Sequence, residues 1–283
     1  MNDVIQEKLK SYDPQSDEDE ENAIKEITQE VALYGLEKAG FFEQAVFQGG
    51  TCLRTIHRLD RFSEDLDFVL KNPNRDFDIN YYLNKASVTM KQYGYAIEIT
   101  GEDKAEKNVK TRFLKDDSIK KILNFKHKQD LRKKIHIKIE VDINPPAGSS
   151  AEPNYLDFPI QFMVITHDIP SLFAGKCHAL LCRRYVKGRD WYDYLWYISK
   201  NTKINLNMLA SAINQTGPWE GEKQNVTKEW VHEKLNQKIK EINWEEAKKD
   251  VERFLKPEKK ETLKLWEKDF FLKMTNKFIE VQP

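Results

Sequence analysis

The sequence is poor in cysteine, with only Cys52, Cys177 and Cys182 among 283 residues. An odd, scattered set of that size excludes a disulfide framework and fits reduced thiols in a cytosol. The six histidines, His57, His127, His136, His167, His178 and His232, show no paired ligand spacing, which argues against a structural zinc. Long apolar runs are missing too. No stretch approaches the roughly 20 residues that span a bilayer. The acidic, polar N-terminus lacks the apolar centre of an export signal, so a cytoplasmic location without membrane contact is expected. No internal repeat or low-complexity segment is visible, and net charge is absent, since 46 Lys and Arg balance 46 Asp and Glu. What is present is 40% hydrophobic and 11% aromatic residues, enough to exclude a disordered chain despite 33% charge. The length allows one large domain or two ordinary ones.

The zero balance hides an uneven distribution. Residues 1–40 carry eleven acids against four lysines, whereas residues 104–138 carry thirteen Lys and Arg against four acids. Such a basic stretch can bind a polyanion through its phosphates, or it can be a solvated loop and helix face. Its cations include Lys107, Lys110, Arg112, Lys115, Lys120, Lys121, Lys126, Lys128, Arg132, Lys133 and Lys134. The acidic run Asp17 to Glu21 suits the positive start of a helix.

Periodicity predicts a helix through Ile24, Ile27, Val31, Tyr34 and Leu36, stopping at Gly40, and a short buried strand over 43–48. A helix beginning at Thr51, a strand over 65–70, a helix around 78–93 and a strand around 95–100 follow. The clearest strand is 135–143, where Ile135, Ile137, Ile139, Val141 and Ile143 share one face before Pro145-Pro146. From Pro170 the pattern is helical, with loops at Gly217-Pro218-Trp219 and Pro257. Leu206, Trp230, Leu235, Trp244, Val251, Phe254, Trp266 and Phe270 read as helical core. The layout predicts a mixed α/β domain over 1–165 and a helical domain over 166–283.

The chemistry-bearing residues begin at Gly49-Gly50-Thr51, a strand-to-helix turn where bare backbone can approach a phosphate. Asp65 and Asp67, two apart on a strand, project from one face and offer oxygens to a hard cation. On strand 135–143 the polar face carries His136, Lys138, Glu140 and Asp142, so either Glu140 or Asp142 is available as a third carboxylate for a two-metal site. Lys176 reads as the start of a helix, from which its ammonium would reach a triphosphate. Asp190, Asp193, Tyr194 and Tyr197 share a helical face, and Arg189 with Asp193 is spaced as an i,i+4 pair or as a tie between helices. Cys52 follows the glycine turn, where a buried small residue is expected. The aromatics of 191–197 read as core, with base stacking as the other use.

Gln48-Gly49-Gly50-Thr51, Arg61-Phe62-Ser63-Glu64-Asp65-Leu66-Asp67-Phe68, Lys138-Ile139-Glu140-Val141-Asp142, Ala174-Gly175-Lys176 and Arg189-Asp190 with Asp193 occur in this order. The set resembles the AbiEii/AbiGii toxin family. The resemblance implies a DNA-polymerase-β-like nucleotidyltransferase core with a mixed sheet, acting as a toxin of a toxin–antitoxin or abortive-infection (phage defence) system. It implies a separate antitoxin, NTP binding, and nucleotide transfer to tRNA acceptor ends. It further implies Asp65 and Asp67 as metal ligands, Gly50 and Thr51 as phosphate contacts, and Lys176 and Asp190 as catalytic. Gly49, Arg54, Ser63 and Lys176 complete the expected nucleotide-binding set, with Mg²⁺ or Mn²⁺ held by Asp65, Asp67 and Glu140 or Asp142. Ser63 lies two residues before Asp65, so a phosphate added there would bring charge beside the metal site. The rival expectation is a non-catalytic nucleotide- or partner-binding module on the same fold.

Overall fold

The structure, a computed structural model, describes residues 2–101, 108–127 and 129–281. The chain forms two compact units, one of Met1–Arg58, Phe62–Pro145 and Glu152–Thr166, the other of Leu59–Arg61, Pro146–Ala151 and His167–Pro283.

The first unit opens with α1 (Asn2–Ser11) and α2 (Asp17–Lys38), then β1 (Ala45–Gln48), α3 (Gly49–Thr55), β2 (Asp65–Leu70) and α4 (Ile79–Lys91). It continues through β3 (Glu98–Thr100), β4 (Val109–Asp116), α5 (Ile119–Ile122), β5 (Ile135–Asp142), β6 (Ala151–Leu156) and β7 (Phe162–His167). The seven strands lie in the order β3-β4-β5-β2-β1-β7-β6. β2 runs antiparallel to β1 and parallel to β5, which makes the sheet mixed.

Ser16 starts α2 by accepting the Asp19 N–H, and the acids Asp17 to Glu20 fill its first turn, where the helix dipole favours them. α2 and α4 pack so closely that a Cβ on Gly35 would stand 2.9 Å from the Ala86 carbonyl oxygen. Ile135, Ile137, Ile139, Val141 and Ile143 are all buried, as alternation predicts. They share the core with Leu66, Phe68 and Phe47, and the rings of Phe41 and Phe68 meet edge-on at 4.9 Å. Burying each such side chain contributes roughly 1.5–3 kcal/mol.

The basic stretch is more regular than a solvated loop: it holds all of β4 and the short α5. Arg112 is buried on β4, where its Nε donates to Asn80 Oδ1 at 2.8 Å. Lys126 pairs with Asp13 at 3.0 Å and Lys133 with Glu21 at 2.8 Å. Buried Glu20 accepts the Lys126 and His127 N–H groups at 2.7 and 2.9 Å. The acidic N-terminal segment therefore supplies partners to part of the basic stretch. Lys107 and Lys128 lie outside the described residues.

The second unit is helical: α6 (Ile169–Cys182), α7 (Gly188–Ser199), α8 (Leu206–Gln215), α9 (Lys228–Glu241), α10 (Trp244–Glu252), α11 (Pro257–Lys260) and α12 (Lys268–Val281). Its core stacks Trp244 on Phe271 at 4.0 Å and Phe173 on Tyr197 at 4.4 Å. Phe271 is fully buried and Phe270 only partly, one position away from the expectation, and Leu206 and Trp230 are likewise half-buried. Pro257 begins a short helix rather than marking a loop, as a first-turn proline can. α7 and α10 touch at Gly188, where an added Cβ would fall 1.8 Å from the Ala247 carbonyl oxygen, so Gly is required there.

Candidate functional site

The first unit gathers its acids at the β1–α3 turn and the neighbouring strands. The backbone of Gly49 adopts φ +79°, which favours glycine. A Cβ there would also lie 2.3 Å from Asp67 Oδ2. The glycine turn thus makes room for the Asp67 carboxylate. In register, Gln48 of β1 stands across from Asp67, and Asp67 stands across from Glu140 of β5. Asp65 stands across from Lys138, and Asp142 is two pairs beyond Glu140, across from Val69.

Lys138 sits among these acids. Its Nζ lies 2.8 Å from Glu140 Oε1. Burial disfavours its charge, but the Glu140 hydrogen bond and the nearby Asp65 and Asp67 carboxylates hold its pKa above the usual lysine value. Asp142 accepts the N–H of Asn144 at 2.9 Å, which ties its carboxylate to its own turn. Among the described residues, no three His, Cys, Asp or Glu side chains come together as a metal-binding group. The expected third protein ligand is therefore not assembled: Glu140 is engaged by an ammonium and Asp142 by a turn.

Two residues expected to bind nucleotide are occupied by structure. The buried Thr51 hydroxyl donates to the Asp65 carbonyl. Arg54 Nε donates to Glu26 at 2.8 Å, and its guanidinium lies 4.7 Å from the Phe62 ring centre. Gly50 lies in the first turn of α3, which begins at Gly49 rather than Thr51. Ser63 is half-buried just before β2, and sequence reasoning missed what holds it. Buried Gln29 of α2 donates its amide to the carbonyls of Ser63 and Glu64 at 3.0 and 2.8 Å, fixing the approach to Asp65. Cys52 is fully buried, and burial pushes its thiol far up, so it is a core residue.

The second unit builds a separate ionic cluster. Lys176 is mid-helix, not at a helix start, because Asp168 caps α6 eight residues earlier and Pro170 occupies its first turn. Its ammonium lies 2.7 Å from Asp190 and 2.8 Å from Asp193. Arg61 grips Asp193 with two hydrogen bonds of 2.6 and 2.7 Å, so Asp193 pairs with Arg61 and Lys176 rather than with Arg189. Arg189 is placed beside Asp250, and its guanidinium stacks over Phe254 at 4.2 Å. Arg183 binds the other Asp190 oxygen at 2.5 Å. Burial opposes the Asp190 charge, but Lys176, Arg183 and Lys187 outweigh it and hold the carboxyl at about 2. Burial likewise opposes the Lys176 charge, and Asp190 and Asp193 keep its pKa above normal. Both groups stay ionised at neutral pH, so neither exchanges a proton readily. The motif carried Arg61 and Asp193, but nothing local announced that they pair.

A mixed sheet with an Asp-x-Asp pair beside a glycine turn, followed by a helical unit, has the layout of a nucleotidyltransferase fold. The chain belongs to the nucleotidyl transferase AbiEii toxin family of type IV toxin–antitoxin systems, which matches residues 31–273. The family implies an antitoxin partner. Among solved structures, the chain is similar to a protein from H. pylori whose description names a nucleotidyltransferase. That likeness has 15% identity and a TM-score of 0.50, and it covers 90% of this chain and 98% of that one. JHP933 from Helicobacter pylori is similar at 16% identity and a TM-score of 0.49, over 89% and 91% of the two chains. At such identity the likeness speaks to fold alone. No curated protein matches the sequence. Among the described residues, no helix is long and apolar enough to cross a membrane.

Proposed function

We propose that the protein transfers a nucleotide from an NTP to an acceptor hydroxyl with the help of Mg²⁺ or Mn²⁺, that the acceptor is the 3′ end of a tRNA, and that the toxin serves phage defence. The observation that carries this reading is the placement of Asp65 and Asp67 on one face of β2, with Gly49 cleared beside Asp67. Magnesium is commonly bound by one or two carboxylates together with substrate phosphates, so these two aspartates suit it without a third protein ligand. When bound, the ion would stabilise the charge that develops on the attacking and leaving oxygens of an in-line displacement.

The chain's own residues divide the remaining work. Asp65 and Asp67 hold the ion, and the backbone at Gly50 and Thr51 lies against phosphate. Asp190 and Asp193 take two of the three Lys176 donors, so Lys176 supplies a fixed positive charge rather than a mobile proton. Asp190, held at about 2, positions Lys176 and is no general base. The basic stretch 104–138 lends the RNA acceptor little support, since Lys126, Lys133 and Lys134 are paired with acids. The family resemblance and the surplus of cations in the helical unit support it better.

The test incubates pure protein with total RNA, Mg²⁺ and each labelled NTP in turn. Label should enter small RNA and vanish with EDTA. Label entering protein or a small molecule instead would overturn the acceptor. A second reading, a binding module without turnover, is favoured by Lys138 lying among the acids where a cation would sit. Consumption of no NTP with any acceptor would establish it.

A further inference from the structure

The helical unit contains a cavity of about 150 Å³ between the end of α6, the segment 183–187, the start of α7 and the last turn of α9. A water's share of liquid volume is about 30 Å³, so the space suits a small polyatomic group better than a single water. Its walls are unequal. Leu180, Val186, Trp191 and Ile242 form an apolar side, and the charged lining is Arg183, Arg184, Lys187 and Lys238 against Asp190 and Glu241.

The acids do not balance the cations. Asp190 is already shared between Lys176 and Arg183. Lys238 donates to the Arg183 carbonyl at 2.9 Å, a bond that fixes its ammonium without neutralising it. Arg184 is exposed, and Lys187 is half-buried; the Lys187 carbonyl accepts the Asp190 N–H at 3.0 Å, but among the described residues neither side chain makes a hydrogen bond or a salt bridge. Burial and the neighbouring Arg189, Arg183 and Lys176 depress the Lys187 pKa, with Asp190 alone opposing them. A half-buried cation whose neighbouring acid is already shared by two other cations is costly unless something else supplies charge.

We propose that this cavity binds a phosphate group, with Lys187, Arg184 and Lys238 as its ligands and Arg183 holding the wall. Arginine and lysine supply the charge-assisted donors that phosphate oxygens accept. Two substrates of the proposed reaction carry such a group, the polyphosphate of an NTP and the backbone of an RNA acceptor. That reading supplies the carriers, while the cavity and its unbalanced charge stand without it.

The test uses the full chain in metal-free buffer, so that the Asp65 and Asp67 cluster has no ion with which to recruit phosphate. Inorganic pyrophosphate, an NTP and a short single-stranded RNA are titrated separately by calorimetry against wild type, Lys187→Gln and Arg184→Gln. Lys187→Gln should fold at least as well as wild type, because it removes an unpaired cation, and thermal melting checks this. Pyrophosphate affinity should fall about tenfold or more in Lys187→Gln, the scale of a lost hydrogen bond between charged groups. An equal fall for the NTP alone assigns the site to the nucleotide, and a fall for RNA alone assigns it to the acceptor. Unchanged affinity for all three probes in a folded Lys187→Gln overturns the site. Loss of pyrophosphate binding in a protein that transfers no nucleotide would keep the site and reject the enzyme. Intact transfer with unchanged binding would do the reverse.

Discussion

The chain carries two pairs of aspartates spaced to share a face, Asp65 with Asp67 on a strand and Asp190 with Asp193 on a helix, and their surroundings are opposite. The strand pair is half-buried, with the Lys138 ammonium nearby. The helix pair is almost wholly buried and is bound by Arg61, Lys176 and Arg183. Spacing alone treats them alike. Burial and partners separate a pair able to exchange its counter-ion from a pair whose counter-ions are fixed.

The largest effect expected from breaking this comparison is on stability. Arg61 and Asp193 side chains are 3% and 0% exposed, so Arg61→Met leaves the buried Asp193 carboxylate with Lys176 as its cation, and Asp193→Ala takes a carboxylate from both Arg61 and Lys176. Arg61→Met and Asp193→Ala should each cost about 3–5 kcal/mol, read from urea midpoints. The double variant Arg61→Met with Asp193→Leu should recover much of that loss, because replacing a buried pair by apolar groups is far cheaper than halving it. Single losses below about 1 kcal/mol would reclassify the pair as a surface-like contact.

Asp67→Asn should do the opposite. It relieves repulsion among Asp65, Asp67 and Glu140, so the melting temperature should hold or rise. Nucleotide transfer should fall about 100-fold or more, since even the residues that only support a metal ligand cost 10–100-fold when lost. A variant that unfolds, seen by circular dichroism, would make this acid structural.

How much of this was legible follows from which interactions are local. β2 was readable to the residue because alternation and a following Asn-Pro turn mark both of its ends. β5 was readable because five apolar residues alternate without a break. β4 was missed because its alternation is buried in lysines and arginines that read as surface. β6 and β7 went unread between Pro145-Pro146 and the helical pattern that begins at Pro170. At the candidate site, the Asp-x-Asp pair and the glycine turn were legible, since each is a short-range pattern. The partners were not: Arg61 lies 132 residues from Asp193, and Glu20 lies 106 residues from the Lys126 N–H it accepts. Opposite charge totals in two distant segments were visible, but reading them as each other's counter-ions needed the fold.

A smaller effect sharpens the comparison through pH. The Asp190 carboxyl sits at about 2 in the folded protein against an ordinary aspartate value of 3.8. A depressed carboxyl contributes stability that is present above its unfolded pKa and is lost as pH falls through the folded one. Asp190→Asn should therefore be less stable than wild type at pH 7. The part of the difference that titrates, about 2 kcal/mol, should disappear between roughly pH 4 and pH 2. A pH-independent gap for Asp190→Asn would mean that shape, not charge, is what Lys176 and Arg183 require.

The smallest expected effect lies at Lys138, and it tests the claim that the strand pair can exchange its counter-ion. The Lys138 and Glu140 side chains are 34% and 31% exposed, so water screens their pair and its loss should cost less than about 1 kcal/mol. Lys138→Met keeps the length of the side chain and its apolar stem while deleting the ammonium. Without metal, the variant should melt slightly below wild type, since Asp65, Asp67 and Glu140 lose a shared counter-ion. On titration with Mg²⁺ the order should reverse, because the ion no longer competes with a tethered cation and finds the Glu140 carboxylate released as well. The readout is the melting temperature against Mg²⁺ concentration for the two proteins. A steeper rise in Lys138→Met identifies the ammonium as a stand-in for the ion. A flatter rise would show instead that Lys138 holds the acids in the arrangement the ion needs, and the strand pair would then depend on its lysine no less firmly than the helix pair depends on Arg61.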